Sequence, residues 1–521
     1  MTERLIGPRR GGGRVARQEI RKSAKAIAVH PGLEGGIYRP LSEADIARIH
    51  EAVLEVLSTI GMADATPELI ELAMDRGAML NAEGRLCFPP ALIEDVLAGA
   101  PRQFSMYSRD GENDIRVGGR RVYFATSGEA IAIFDPATRS YRPSKLLDIY
   151  DCARLCDTLD NIHQFGQPCV ATDIEDPLAR DISIAYALAA GTRKTSGMSI
   201  SGARNLKAVV ALYDAILGGE GRFIKRPFCS IGGCCPVVSP LRFAKDSLEV
   251  LMETSRLGLV GDVAIAGQAG ATAPVTLAGT LVQSLAETIA CLVVVNLVRP
   301  GNPMMFGAWP LVSDLRTGSF TGGSGEQALL MAAVAQMANF YNLPGSVAAG
   351  MTDAKLPDNQ AGFEKGVTTT IVALAGGNFV SESAGMLASL VGVSYEALVI
   401  DNDMLGLVQR TLRGIEVTDE TLSVEVMREV ANGAGHYLGH AETLERMESE
   451  YLYPRIADRR SPDSWREAGA RDIHEAAQVR VREILSRHYP AYIDLKTDAE
   501  IRSRFPIRLK PEDMRAGDGR W

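Results

Sequence analysis

Between residues 122 and 381, eight short runs rich in β-forming residues alternate with long segments of helical pattern. The runs are 122–125, 162–165, 195–200, 227–231, 263–267, 303–307, 346–350 and 378–381. Strand–helix alternation predicts a parallel sheet with right-handed crossovers. Eight such units match a closed TIM (β/α)8 barrel, whose core commonly takes about 250 residues. An open doubly wound sheet is the alternative. We favour the barrel because many runs end in glycine or small polar residues, which leave room for a pocket.

The segments on either side of these units divide the chain into four predicted regions. Residues 1–35 are basic and glycine-rich without an apolar stretch, which predicts a flexible tail and not a secretory signal. Residues 36–118 form a predicted N-terminal helical region, with Ser42 as a candidate helix cap. We assign 119–415 to the barrel. Residues 416–521 are charged and helical in pattern, which predicts a C-terminal helical extension.

Composition excludes several classes of partner. A net charge of -9 gives no basic surface for nucleic acid and no attraction to anionic lipid. The eight cysteines are scattered without a CxxC pair, which favours a reducing compartment. The longest apolar stretch, around 288–298, is too short to span a bilayer. We therefore expect a soluble cytoplasmic protein, and the charged C-terminal helices favour a homo-oligomer.

In a barrel of this kind the reaction site lies at the C-terminal ends of the strands, so the residues there are the candidates. Three carboxylates follow the first, seventh and eighth runs: Glu129, Asp353 and Glu382. Aromatic and amide side chains at or near the strand ends are Phe165, Gln167, Gln268, Phe306, Trp309 and Phe379. For each aromatic ring, plain core packing is the alternative interpretation.

This candidate set contains no histidine, which is informative. Hydrolytic and proton-shuttling sites usually recruit histidine as a base or metal ligand. His163 lies within a strand and is interpreted as a core residue. His436 and His440 have the spacing of a helical metal pair but lack an intervening glutamate, so no metal site is predicted.

A site poor in acid–base groups suits a reaction in which the protein mainly positions the reactants. Methyl transfer from a quaternary ammonium is such a reaction, because the amine leaves neutral and no proton need move. Its pocket must hold a cation with aromatic faces and carboxylates. We therefore assign catalytic roles to Glu129, Asp353 and Glu382, and substrate binding to the aromatic and amide residues.

The segment 350–365, GMTDAKLPDNQAGFEK, resembles the trimethylamine methyltransferase family, as do 127–129, 267–270, 314–326 and 440–460. The likeness covers residues 40 to 510 or so. It implies a TIM barrel that passes a methyl group to the cobalt(I) of a corrinoid, such as cobalamin, carried by a separate corrinoid-binding protein. No cofactor is then bound tightly by this chain. Gly232, Gly233 and Asp314 are assigned to contact with the corrinoid.

Archaeal members that use trimethylamine carry a pyrrolysine within this segment. Its position aligns with Leu356, or with Lys355 one residue away, so this chain has an ordinary side chain there. Leu356 is accordingly assigned to substrate binding. The resemblance then implies a quaternary amine of the glycine betaine type as substrate. Trimethylamine or another simple methylamine is one alternative, and a non-catalytic barrel that binds quaternary amines is another.

Overall fold

The computed structural model describes residues 28–233, 235–517 and 519–521. Most of the predicted basic tail therefore lies outside the described residues. Eight short strands form the centre of the fold, and we number them in chain order. They are β1 Tyr123–Phe124, β2 Gln164–Gly166, β3 Thr195–Ser199, β4 Cys229–Gly232, β5 Gly261–Asp262, β6 Met304–Gly307, β7 Gly345–Ala348 and β8 Phe379–Ser381.

These strands pair in parallel and in chain order. Ladders join β2 to β3, β3 to β4, β5 to β6, β6 to β7 and β7 to β8, and β8 pairs with β1. A parallel bridge between Ala125 and Gln164 connects β1 to β2. Between β4 and β5, a Cβ placed on Gly232 would lie 3.1 Å from the carbonyl oxygen of Asp262. The predicted α/β class with a parallel sheet is confirmed.

The fifth strand is displaced from its prediction. The run 263–267 was expected to form it, but the ladder with β6 lies at Gly261 and Asp262, just before that run. Glycine and aspartate are depleted in strands, so the β-forming pattern starts only at Val263. The rest of the run stays extended enough for Ile265 to bridge Ala308.

Helices follow the strands and cover the sheet. They are Leu146–Asp157, Pro177–Gly191, Ala203–Ile216, Arg222–Lys225, Lys245–Arg256, Leu277–Val298, Gly325–Phe340, Asn359–Ala375 and Tyr395–Arg413. Several begin where the sequence provides a cap. Asp176 accepts a hydrogen bond from the amide of Ala179, with Pro177 in the first turn, and Ser324 accepts one from the amide of Gln327.

Among the described residues, one helix is long and apolar enough to cross a membrane by length and composition alone, Leu277–Val298. However, 78% of its apolar window is buried inside the fold. It packs against the helices Glu43–Glu55, Lys245–Arg256 and Gly325–Phe340. A helix that is apolar on every face and surrounded by other helices is typical of a protein core.

The region before β1 is only partly helical. Its helices are Glu43–Glu55, Pro67–Met74 and Pro90–Gly99, with a π-helical turn at Val56–Ile60. It also contains two hairpins that the sequence analysis missed, Met79–Leu80 with Leu86–Cys87 and Gln103–Met106 with Ile115–Gly118. Strands of two to four residues are too short to show a clear two-residue period.

The C-terminal region packs on the helices around the sheet. It contains Val424–Ala431, Ala441–Glu450, Pro462–Glu467, Ile473–Leu485, Leu495–Arg504 and a 3-10 turn at Pro511–Met514. Fully buried Arg154 donates to the carbonyl oxygens of Leu485 and His488 at 2.5 and 2.8 Å, and its guanidinium lies 3.8 Å from the ring centroid of Tyr489. These contacts fasten the extension to the helix Leu146–Asp157.

Candidate active site

A cavity of about 200 Å³ lies at the C-terminal ends of the parallel strands. Described residues on or just after seven of the eight strands line it, and β7 contributes none. The wall consists mostly of glycine, small polar and apolar side chains, with three carboxylates and two large aromatic rings. The carboxylates are Glu129, Asp262 and Glu382, and the rings are Trp309 and Phe379.

The three carboxylates are withdrawn from bulk water. Glu129 and Asp262 are half-buried in the wall, and Glu382 is fully buried. Burial raises the pKa of Glu129, although hydrogen bonds from the side chain and backbone of Ser199 oppose this rise. Burial also raises the pKa of Asp262, which accepts a hydrogen bond from Ser230 Oγ at 3.1 Å. Desolvation disfavours the charged form of a carboxyl group unless a positive charge is brought close.

Burial, together with the nearby charges of Cys235 and Glu129, raises the pKa of Glu382 to about 8. Its Oε2 atom is buried and makes no hydrogen bond within the described part of the chain. The Oε1 atom of Gln167 is in the same situation, while its Nε2 donates to the carbonyl oxygen of Cys169 at 3.1 Å. The wall therefore presents oxygens that have no donor among the described residues.

The backbone at two of these carboxylates is strained. Glu129 has φ 47° and Glu382 has φ 61°, the left-handed region that residues other than glycine rarely adopt. Such a conformation costs on the order of 1–3 kcal/mol and persists where the surrounding structure holds it, often at functional sites. Glu382 directly follows β8, and Glu129 lies five residues beyond the end of the neighbouring parallel strand β1. The turns direct two acidic side chains into one cavity.

The electrostatics of the wall have a single sign. Among the described lining residues there is no lysine, arginine or histidine. Trp309 donates from Nε1 to Ser346 Oγ at 3.3 Å, which holds its ring in place. Carboxylates and aromatic faces attract an organic cation. No group of three His, Cys, Asp or Glu side chains within the described ranges is arranged to hold a metal ion.

Comparison with known proteins agrees with this chemistry. The family described as "Trimethylamine methyltransferase (MTTB)" matches residues 10–512. The trimethylamine methyltransferase of Desulfitobacterium hafniense is 33% identical over 472 residues, which cover 90% of this chain and 94% of the relative. The chain belongs to the trimethylamine methyltransferase family. The predicted resemblance is confirmed, and the protein is a methyltransferase of this family.

Two further relatives show the breadth of the family. The trimethylamine methyltransferase of Methanosarcina barkeri is 32% identical over 474 residues, covering 90% of this chain and 95% of the relative. A glycine betaine methyltransferase of Desulfitobacterium hafniense strain Y51 is 28% identical over 474 residues, covering 91% and 98%. The crystal structure of the Methanosarcina barkeri monomethylamine methyltransferase has the same fold, with TM-score 0.50 and 11% identity, covering 90% of this chain and 91% of that one.

Six of the residues that we assigned from the sequence line the cavity of this methyltransferase. They are Glu129, Gln167, Gly232, Trp309, Phe379 and Glu382. The two glutamates meet there because the first and last parallel strands are hydrogen-bonded neighbours, although 253 residues separate these side chains in the chain. Their placement agrees with the prediction, and their roles stay predictions.

Asp353 does not lie in the cavity wall. Its Oδ1 atom accepts hydrogen bonds from the amide of Gly322 at 2.7 Å and from Ser389 Oγ at 2.6 Å. Its own amide donates to Glu364 Oε2 at 2.8 Å. The carboxylate therefore joins loops that follow three strands, and Asp353 lies outside the cavity wall. This position does not support the catalytic role that we assigned to it from the sequence.

Three of the predicted substrate-binding residues belong to the core. Phe165 and Phe306 are buried on β2 and β6 and do not line the cavity. Successive side chains of a strand point to opposite faces, so Gln164 and Gly166 reach the cavity while Phe165 faces the helices. Leu356 packs in a separate apolar cluster that includes Phe134.

Three more assigned residues also lie outside the wall. Gln268 Oε1 accepts from Ser313 Oγ at 3.0 Å, and Asp314 forms a 2.7 Å ion pair with the exposed Arg316. A Cβ placed on Gly233 would meet the backbone of Ser247 at 3.0 Å, so this glycine serves helix packing. None of the three lines the cavity, so this structure does not support substrate contact by Gln268 there, and corrinoid contact by Gly233 and Asp314 stays a prediction.

Sequence analysis missed Asp262, Gln164 and Cys235 as wall residues. Asp262 lay just before the run predicted as the fifth strand, so it was not examined as a strand-end residue. A signal was present, because an acidic residue at the edge of an apolar run in a buried parallel strand is unusual. Gln164 lies within the second predicted run, next to Phe165. Because neighbouring side chains of a strand point to opposite faces, Gln164 faces the cavity if Phe165 faces the helices.

Proposed function

We propose that this methyltransferase moves a methyl group from a methylated ammonium cation to the cobalt(I) of a corrinoid held by a separate protein. The cavity carries the proposal. Three carboxylates, two aromatic rings and no positive side chain among the described lining residues suit an organic cation. Family membership supports methyl transfer as the reaction, and relatives named for trimethylamine and glycine betaine support a methylated amine as the donor.

We also infer that the eight strands close into a TIM (β/α)8 barrel with the cavity at its C-terminal face. The chain-order pairing, with β8 beside β1, supports closure. Binding sites of this fold lie at that face. Small wall residues such as Gly128, Gly232 and Ala266 support a mouth wide enough for the methyl acceptor of another protein.

The chain's own residues bind and orient the donor. The carbon–nitrogen bond breaks, its electron pair stays on nitrogen, and a neutral amine is left where a cation was bound. The reduced corrinoid supplies the nucleophile that receives the methyl group. Glu129 and Asp262 attract the ammonium, while Trp309 and Phe379 limit its orientation and exclude water. Because the positive charge on nitrogen disappears during transfer, these groups contribute to substrate binding more than to the transition state.

The direct test is methyl transfer to cobalt(I) cobalamin, followed by the visible spectrum. We expect the purified protein to methylate cobalamin with at least one of trimethylamine, tetramethylammonium, choline and glycine betaine, and faster with a corrinoid-binding protein present. Heat-denatured protein is the control. A protein that binds these amines by calorimetry but methylates neither free nor protein-bound cobalamin would instead be a binding protein, and the proposal would be wrong.

Cation binding should depend on pH through Glu382. Its carboxyl group, with a pKa of about 8, is mostly protonated at neutral pH, whereas a cation stabilises the ionised form. Affinity should therefore rise with pH, by up to about tenfold per unit below pH 8, and level off above it. Calorimetry with tetramethylammonium, whose charge does not titrate, measures this dependence. Glu382→Gln should flatten it, and an equally steep profile in that variant would contradict the assignment.

A further inference from the structure

The charge of the cavity wall also restricts what else the substrate can carry. We propose that Asp262, together with Glu129, determines specificity by rejecting methylated amines that bear a carboxylate. This inference rests on the proposed function and narrows its substrate class to ammonium cations with uncharged substituents. It departs from the betaine-type substrate that the sequence resemblance implied.

The position of Asp262 supports this role. It lies on β5 beside the end of β4, where a Cβ placed on Gly232 would lie 3.2 Å from the Asp262 Cβ. Its Oδ2 atom is held by Ser230 Oγ on β4 at 3.1 Å. Because Gly232 has no side chain, nothing from that residue separates the carboxylate from the cavity, and both residues line the wall.

A second acidic group, Asp181, lies close enough to Glu129 for its charge to act on that carboxyl group. Asp181 is buried and accepts hydrogen bonds from the amide of Ser201 at 2.9 Å and from Asn205 Nδ2 at 2.8 Å. Its charge and that of Asp262 both disfavour ionisation of Glu129. A further carboxylate, brought to this end of the cavity by a ligand, would be disfavoured for the same reason.

No described residue of the wall carries a compensating positive charge. A betaine carboxylate that leaves water needs a guanidinium, an ammonium or several donors. The described lining residues include none of the charged partners, and the Gln167 Oε1 atom, which has no donor among the described residues, would face the ligand as a further acceptor. A hydroxyl group could instead donate to this oxygen. Selectivity of this kind is set by repulsion of the wrong ligand as much as by attraction of the right one.

Choline and glycine betaine provide a matched pair for the test, because both carry a trimethylammonium group and differ in a hydroxymethyl group against a carboxylate. Calorimetry on the full-length protein should show choline binding at least about tenfold more tightly, a difference of about 1.4 kcal/mol. Asp262→Asn keeps the shape of the side chain and should weaken choline binding while reducing the choline-to-betaine ratio about tenfold. Glu253→Gln is the control and should keep the wild-type ratio, because Glu253 is partly exposed, pairs with Arg256 and does not line the cavity.

The outcomes separate this inference from the proposed function. Glycine betaine binding as tightly as choline to the wild-type protein, or an unchanged ratio in folded Asp262→Asn, would overturn the role of Asp262 even if cobalamin is methylated. Selective choline binding without methylation of free or protein-bound cobalamin would support the inference and contradict the methyltransfer proposal. If Asp262→Asn fails to fold, the wild-type ratio alone decides. If the protein binds none of choline, glycine betaine and tetramethylammonium, both the specificity inference and the proposed function are wrong.

Discussion

Glu129→Gln will weaken binding of a methylated ammonium cation by about two orders of magnitude, because it removes one member of a partly desolvated charge pair worth roughly 2–5 kcal/mol. Glu129 lies in the cavity wall, stands on a strained left-handed turn and interacts with Ser199. Glutamine keeps the size of the side chain and removes the charge. Calorimetry with tetramethylammonium at pH 9 measures the effect, since Glu382, with a pKa of about 8, is then largely ionised.

The same substitution should change KM and kcat in different ways. The charge that Glu129 attracts is present in the bound substrate and disappears as the methyl group leaves nitrogen. The variant should therefore raise KM strongly without lowering kcat, because stabilisation lost only from the bound substrate does not raise the barrier of the transfer step. Glu253→Gln, at a partly exposed ion pair outside the cavity wall, is again the control. A loss confined to kcat would mean that Glu129 acts on the reacting bond and not on the bound cation.

Lys365→Met will lower the free energy of unfolding by about 3–5 kcal/mol, the usual result of leaving one partner of a buried ion pair uncompensated. Lys365 Nζ lies 2.6 Å from Asp401 Oδ2, and their side chains are only 2% and 5% exposed. Asp401 Oδ2 also accepts a hydrogen bond from the amide of Gly385 at 2.7 Å. This ion pair holds the chain three residues beyond Glu382, so its loss should also loosen the cavity wall.

Urea unfolding followed by circular dichroism measures the loss. The double variant Lys365→Met with Asp401→Asn should recover much of the stability, because asparagine still accepts from Gly385 and leaves no buried charge. Lys355→Met is the matched control, because Lys355 is exposed and surface changes usually stay within about 0.5 kcal/mol. Equal stability of the Lys365 and Lys355 variants would show that the buried pair contributes little.

The stability of the fold and the substrate specificity that we propose depend on different carboxylates, which the sequence alone does not distinguish. Asp401 is paired with a buried ammonium and Asp353 is occupied by backbone and hydroxyl donors, so both serve the structure. Glu129, Asp262 and Glu382 lack a positive partner among the described lining residues. Only carboxylates without such compensation remain available to bind a cationic substrate.

The sequence by itself determined the α/β class, seven of the eight strand positions and two of the three wall carboxylates, since these follow from short-range patterns. A strand in a parallel sheet needs a β-forming run, and a residue directly after it lies at the C-terminal edge wherever the sheet closes. The family resemblance was likewise readable, because its motif 350–365 is contiguous.

Tertiary structure decided which acidic side chains share the cavity. Asp353 was excluded by hydrogen bonds to Gly322 and Ser389, which are 31 and 36 residues away in the chain. Asp262 lies in the cavity wall because β5 begins two residues before its β-forming run. Phe165 points away from the cavity because neighbouring side chains of a strand point to opposite faces. Hydrogen bonds between residues far apart in the chain, and the face to which each strand residue points, cannot be identified from local composition. The charge of the cavity could therefore be determined only from the folded chain.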